Sequence, residues 1–425
     1  MHRSRLVAVT LFLAFAGSAT GSASYLLFQH GGQGTAQAGA FTARAEGASA
    51  VHYNPAALVR GPRQQIQLGA DFTAPRDDFE SAAGKHPANH VITLAPAFYG
   101  AWRPWEDRPL AFGLGLDSAA WHILEWDTAL FPDRFVTRRQ EVTVLDLHPV
   151  VAYGLDDRWS VGLGAHLYFG TLGFGNNRGA ELPSSGDPVV VEVERLAETD
   201  ATGYGLDLSL HYGAESFGWG LVLDSGGELD GDGDVTYRPR DVPADPIVQD
   251  EVARRFVPGD VRLSFELPWS VRTGAWWALY PALRLELDLA FTGWSATDGI
   301  DVSYGGNPFN TLPEPATRPE WDDTVSVHLG AEGDLGERWL LSGGLAWVPS
   351  PVPKESFDPG FPRGDAVVYA IGFGYRFAPF RFDIGYSFHD HEDVTLRRFG
   401  VDVPSTATYS ARNQVFSFSV GWGRE

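Results

Sequence analysis

Cysteine is missing from all 425 residues. That absence excludes disulfide frameworks, thiolate metal sites and cysteine nucleophiles together, and it confines metal or acid–base chemistry to histidine and carboxylates. Basic residues are scarce as well: 32 Lys and Arg stand against 54 Asp and Glu, a formal net charge of −22. Such a chain repels a phosphate backbone, which argues against nucleic acid as a partner. No apolar run of 18 or more residues follows the first 30 positions, so a bundle of membrane-spanning helices is excluded. A transmembrane β-barrel is not, because its strands carry only alternating hydrophobicity. What is abundant is 44% hydrophobic and 13% aromatic residues with 49 glycines. This is the composition of an ordered chain, long enough for two or three ordinary domains or one large β architecture.

Arg3 and Arg5 precede an apolar stretch from Leu6 to Ala16, and Gly21-Ser22-Ala23 closes it. Charged, apolar and small-residue segments in that order read as a secretory signal over residues 1–23, removed on export. The apolar stretch is too short to serve as a membrane anchor.

From Arg63 onward one pattern recurs: segments of about ten residues in which every second side chain is apolar. Leu283, Leu285, Leu287, Leu289 and Phe291 alternate with Arg284, Glu286, Asp288, Ala290 and Thr292. Fourteen such strands are expected, near 64–74, 91–102, 109–116, 141–153, 159–172, 202–212, 218–226, 259–279, 283–294, 324–333, 339–347, 366–377, 380–388 and 413–422. A soluble sandwich alternates too, but here every second connection is short. Outer-membrane barrels pair short periplasmic turns with long external loops, and closure removes the exposed edges of so large a sheet. The expected fold is therefore an all-β, fourteen-stranded antiparallel transmembrane β-barrel with both chain termini on the periplasmic side. Pro149 and Pro268 fall inside expected strands and should mark a bulge or a strand end. Asp230-Gly231-Asp232-Gly233-Asp234 lacks the Gly and Glu of a calcium loop and reads as an acidic external turn.

Between signal and first strand lie the small residues Gly31-Gly32-Gln33-Gly34-Thr35-Ala36 and then Tyr53-Asn54-Pro55-Ala56-Ala57-Leu58. With Phe131-Pro132-Asp133-Arg134-Phe135, His148-Pro149-Val150, Leu267-Pro268, Trp294-Ser295 and Ser350-Pro351-Val352-Pro353, this order of segments resembles the FadL-type outer-membrane transporters. The resemblance implies a fourteen-stranded barrel over 64–425 with an N-terminal plug, or hatch, over 24–63. It also implies a location in the bacterial outer membrane and uptake of long-chain fatty acids or other hydrophobic molecules, such as hydrocarbons. It implies no enzymatic activity and no cofactor.

Asn54, Pro55 and Ala56 are the hatch signature on that reading; Asn-Pro also starts a turn, and small neighbours allow close backbone packing. The family releases ligand sideways into membrane lipid through a kinked third strand. Gly113 and Gly115 occupy that strand here and weaken its ladder, which makes them the expected lateral gate. The expected lumen face carries Asp146, His148, His166, Asp207, Arg262, Arg272, Arg284 and Glu286, mixed signs that suit a paired network propping the wall. Among them Arg262, Arg272 and Arg284 are candidates to receive a ligand carboxylate, because a guanidinium offers a charged fork of donors. No metal ligand set is assigned, and a monomer is expected. Two other functions compete. A lipid-acting barrel enzyme needs a nucleophile motif, and no G-x-S-x-G is present; a general porin for polar solutes conflicts with a plug.

Overall fold

The computed structural model of the protein describes residues 29–82, 84–89, 91–126, 131–297, 300–305, 320–399 and 404–424; the expected export signal over 1–23 lies outside them. The described chain forms one closed antiparallel barrel. Its wall strands are β1 (Gln64–Ser81), β2 (Thr93–Trp102), β3 (Leu110–Trp126), β4 (Arg139–Gly154), β5 (Trp159–Leu182), β6 (Val189–Gly213), β7 (Phe217–Asp224, continuing as Gly227–Arg240) and β8 (Gly259–Leu267, continuing as Ser270–Tyr280). They continue with β9 (Leu283–Thr292), β10 (Thr324–Leu335), β11 (Trp339–Val348), β12 (Ala366–Phe377), β13 (Phe380–His391) and β14 (Pro404–Arg424). β1 pairs with β14 from Gln64↔Arg424 to Ser81↔Ala407 and closes the ring. The fourteen strands and the short turns at alternate ends are those expected from the sequence.

In the membrane-crossing part, apolar side chains point out and small or polar ones point in, the reverse of a soluble core. Leu206, Leu208, Ile371, Phe373 and Phe382 are exposed on the outer wall, while Gln65, Gln67, Ser417 and Ser419 are buried inside. Aromatic pairs ring the short-turn end, among them Trp159 with Tyr212 at 4.9 Å and Trp339 with Tyr375 at 4.6 Å. Such girdles mark the interface between hydrocarbon and water.

The strands are longer than the sequence pattern suggested. β5 has 24 residues and β6 has 25, against the 9–11 or so that cross a bilayer. Their outer halves rise above the membrane, and there apolar residues turn inward: Val191, Val193, Leu229, Val235, Leu263 and Phe265 share one buried cluster. The supposed acidic turn is part of this storey, since Asp230 to Asp234 belong to the strand Gly227–Arg240. A helix, α1 (Pro246–Arg255), caps the same region, its first turn held by Asp245, whose carboxylate accepts from Ile247 N and Val248 N.

Pro268 separates the two storeys of β8. Below it Ser270 and Gly274 are buried; above it Leu267, Phe265, Leu263 and Val261 are. The interruption shifts the alternation by one residue, which moves a side-chain set to the other face. Arg262 consequently stands outside the barrel, exposed and 3.0 Å from Asp232, and the expectation that it lines the lumen is corrected. Pro149 acts differently. It stays paired with Leu114, but on its other side the β4–β5 ladder runs from Leu147↔Leu167 to Val150↔Gly164 without the two rungs between.

Candidate functional site

Residues 29–63 fill the lumen. Helix Gly31–Ala36, helix Ala50–Tyr53 and the 3₁₀ turn Pro55–Arg60 are short and poor in apolar bulk, so polar contacts with the wall hold them. Asp288 Oδ2 accepts from Phe41 N at 2.9 Å and Thr42 N at 2.8 Å. Glu286 Oε1 accepts from Ala43 N at 2.7 Å and Arg44 N at 3.1 Å. Asn54 is fully buried; its Nδ2 donates to Thr42 O at 3.0 Å and to Leu210 O on β6 at 3.2 Å, and its Oδ1 accepts from Ala56 N at 3.2 Å. Ala56 N also reaches Ser209 Oγ, and Ser160 Oγ donates to Ala56 O at 2.7 Å. The wall accommodates this segment with a glycine: a Cβ on Gly162 would come within 2.7 Å of Ala56 N.

The hatch also touches the third strand. β3 pairs with β2 only from Trp102↔Phe112 to Phe98↔Leu116, although β2 continues along β1 to Thr93 and β3 continues along β4 to Glu125. Thr93–Ala97 and Asp117–Leu124 thus face each other with no ladder between them, and the β3–β4 register slips between Ser118 and Ala120. The wall has a gap at this point. Its lower edge is fixed by Asp117, which accepts from Tyr99 Oη at 2.7 Å and lies 3.1 Å from His52 Nδ1. His30, at the start of the hatch, sits 2.9 Å from Asp71 Oδ2 through Nδ1 and 3.0 Å from Ser118 O through Nε2. Both partners only accept, so both ring nitrogens carry hydrogen and the ring is an imidazolium. Burial opposes that charge, but Asp117 and Asp71 outweigh it and raise the pKa to about 9. His52 goes the other way: burial, helped by the charges on His30 and Arg272, lowers it to about 4 against the pull of Asp117.

Behind the gap lies a cavity. Thr93, Trp121 and Ile123 bound it on the gap side, with Val348, Val368 and Val415 opposite. Its lining has one permanent cation, Arg363, which is committed to Asp77 at 3.0 and 3.2 Å. At the short-turn mouth a charged lattice joins hatch and wall: Arg284 lies within 3.5 Å of Glu46, Glu332 and Asp334, and Arg381 Nη2 is 2.9 Å from Glu332.

The residues singled out from sequence are thus dispersed. Asn54, Pro55 and Ala56 lie at the hatch–wall contact. Gly113 and Gly115 belong to the paired part of β3, against the hatch: a Cβ on Gly113 would meet Val51 and Val150 at 2.7 Å, and one on Gly115 would meet Val51 at 2.9 Å. The gap opens just beyond them, at Asp117–Ser118. Arg284 is absorbed in the lattice. Arg272 is the lumenal guanidinium of the three with no carboxylate in direct contact among the described residues; it donates to His52 O at 3.4 Å. Sequence reasoning missed His30, Asp71, Asp117 and Ser118, since a bulge and a two-sided imidazole contact depend on register between segments far apart in the chain.

The family model described as outer membrane protein transport protein (OMPP1/FadL/TodX) matches residues 13–422. Among solved structures, a Pseudomonas aeruginosa FadL homologue superposes with a TM-score of 0.82 at 16% identity, covering 95% of this chain and 100% of its own. The P. putida toluene transporter TodX gives 0.71 at 16% identity, over 94% of this chain and 100% of its own. The Ralstonia pickettii toluene transporter TbuX gives 0.64 at 18% identity, over 92% and 98%. No curated protein matches the sequence.

Proposed function

The chain belongs to the outer membrane protein transport family OMPP1/FadL/TodX, barrels of the bacterial outer membrane that carry hydrophobic compounds and are channels rather than enzymes; from that premise we propose that its own cargo is a neutral, largely apolar small molecule released sideways into the membrane. The observation that carries the reading is the juxtaposition of a cavity that offers an apolar surface of Trp121, Ile123, Val348, Val368 and Val415 with the unpaired stretch between Thr93–Ala97 and Asp117–Leu124. The one permanent cation in the lining is neutralised by Asp77. A hydrocarbon, aromatic or aliphatic, asks for no charged partner there. A long-chain fatty acid is the second reading, favoured by Arg272, which could receive its carboxylate.

The test removes the slip in register. Ala119 is the extra residue between Ser118 and Ala120, which face Leu145 and Val144. Deleting it lets β3 run straight beside β2 without changing which faces point inward. Uptake of labelled toluene and of labelled oleate by cells making this variant should fall to the level of cells lacking the protein, with surface abundance and the heat-modifiable gel shift unchanged. Wild-type uptake of both would refute sideways release, and a preference of the parent chain for oleate over toluene would refute the neutral cargo.

A further inference from the structure

We propose that the wall binds one divalent transition-metal cation of the zinc type through His166, Asp207 and Asp224, with His148 holding Asp207 in place. His148 is on β4, His166 on β5, Asp207 on β6 and Asp224 at the break in β7. Together with Arg272 they line one cavity.

The geometry of His166 carries the assignment. Its Nδ1 lies 2.7 Å from Asp146 Oδ2; a carboxylate only accepts, so the hydrogen is on Nδ1. Its Nε2 is buried and makes no hydrogen bond, yet it lies 3.6 Å from Asp207 Oδ2 and 3.6 Å from Asp224 Oδ2. An imidazole held by a carboxylate on one nitrogen, with the other aimed at donor oxygens, is how metal-binding histidines are arranged. Two ligand atoms on one tetrahedral ion, each at about 2.1 Å, stand about 3.4 Å apart, and the observed separations match that span. His148 stacks on His166 with ring centroids 4.0 Å apart, and its Nε2 donates to Asp207 Oδ2 at 2.7 Å, which orients that carboxylate as hydrogen-bonded ligands are oriented in metal sites.

Charge and backbone agree with this. Asp117, Asp146, Asp207 and Asp224 line the cavity against Arg272 as the one permanent cation, an imbalance that a divalent ion relieves in a low-dielectric setting. A Cβ on Gly164 would fall 1.8 Å from Asp207 Oδ2 and 2.2 Å from His148 Nε2, so the glycine keeps the pocket open. The two β4–β5 rungs absent at His148 and Pro149 leave the wall unzipped at the level where the ion would tie β5 to β7. The other cluster, His30, His52 and Asp117, offers less, because both nitrogens of His30 are engaged as donors. The rival occupant of the site is a proton on His166 Nε2.

The experiment uses the full, tag-free chain in detergent, stripped with a chelator and titrated with Co(II), then Zn(II). Expected are saturable uptake of one Co(II) per chain, a ligand-field absorption band that Zn(II) abolishes, and a barrel that needs more heat to unfold with zinc present. His166→Ala and Asp207→Asn should remove the band, Asp146→Asn should weaken binding about 10–100-fold, and His52→Gln should leave it intact. Should His166→Ala fail to fold, as judged by the gel shift, Asp224→Asn at the rim of the cavity substitutes for it and should also lose the band. No saturable band in the parent chain, a band that survives in the His166 or Asp224 variant, or one lost in His52→Gln alone would each overturn the assignment; the first of these would leave the proton as the occupant.

Discussion

Raising the pH should loosen the hatch, and the group responsible is His30. Its ring is 1% exposed and donates on one side to Asp71 and on the other to Ser118 O, at the edge of the wall gap. In the unfolded chain the imidazole titrates near 6.5; in place it titrates near 9, because Asp117 and Asp71 favour the charge more than burial opposes it. The folded value is the higher one. The stabilisation is therefore complete below about pH 6.5, declines by about 1.4 kcal/mol per pH unit above it and is gone once the pH passes about 9, on the order of 3 kcal/mol in all. In populations, the fraction of time the N-terminal turn of the hatch is undocked rises about tenfold per unit across that window. His52 does not confuse the reading, since its own transition is lowered to about 4. Amide hydrogen exchange over residues 31–53, corrected for the intrinsic pH dependence, measures the opening, and bilayer conductance reports whether it admits ions. His30→Gln should start from a loosened hatch at pH 6 and show little further change. An exchange profile in the parent chain that is flat between pH 6.5 and 9, or an equal slope in His30→Gln, would refute the reasoning.

Two further perturbations address the seal. Gly113→Val with Gly115→Val places side chains where Val51 already stands; the expected result is a displaced hatch and raised ion conductance in a folded barrel, and unchanged conductance would mean the contact yields. Asp288→Ala leaves Phe41 N and Thr42 N without their acceptor, a loss of about 1–3 kcal/mol per buried group, and should speed exchange at those amides while leaving distant wall amides as they were.

The barrel was legible because its code is local. Alternation over Leu283–Phe291 and the short turns at 155–158, 214–216, 281–282, 336–338 and 378–379 need no knowledge of what lies across the sheet. Pro268 was legible as an interruption, but not the parity shift it imposes, and so Arg262 was placed on the wrong face. The upper storey escaped for a related reason: Val189–Thr199 alternates, but with glutamates among the valines, which reads as a loop unless an apolar partner face is known to await it. The third strand was identified, yet the gap starts beyond Gly115, at a bulge that exists only relative to β4. Asn54–Ala56 stood out in the sequence as a turn among small residues, and it lies at the contact with the wall; the anchoring of the neighbouring segment by Asp288 and Glu286 was not visible, because backbone donors carry no sequence mark.

The two ends of the lumen differ in a way that bears on the proposed exit. Toward the short-turn mouth an apolar solute meets Arg44, Arg284 and Arg381 interleaved with Glu46, Glu332 and Asp383. Passing there means separating ion pairs and then entering water, which returns about 0.8 kcal/mol for every methylene that had been buried, or about 6 kcal/mol for an eight-carbon chain. Through the gap the same solute moves from a lining of Trp121 and Ile123 to an outer wall of Leu94 and Phe98 and on into lipid, so its burial is kept throughout. No motion of the charged lattice is needed on that path. What must give way is the thin tie at Asp117 and Ser118, made by His30 and His52 of the hatch and by Tyr99 of the wall. The proposed sideways exit is on these energetic grounds the route of lower resistance for an uncharged cargo, with the polar lattice below as the barrier on the periplasmic route.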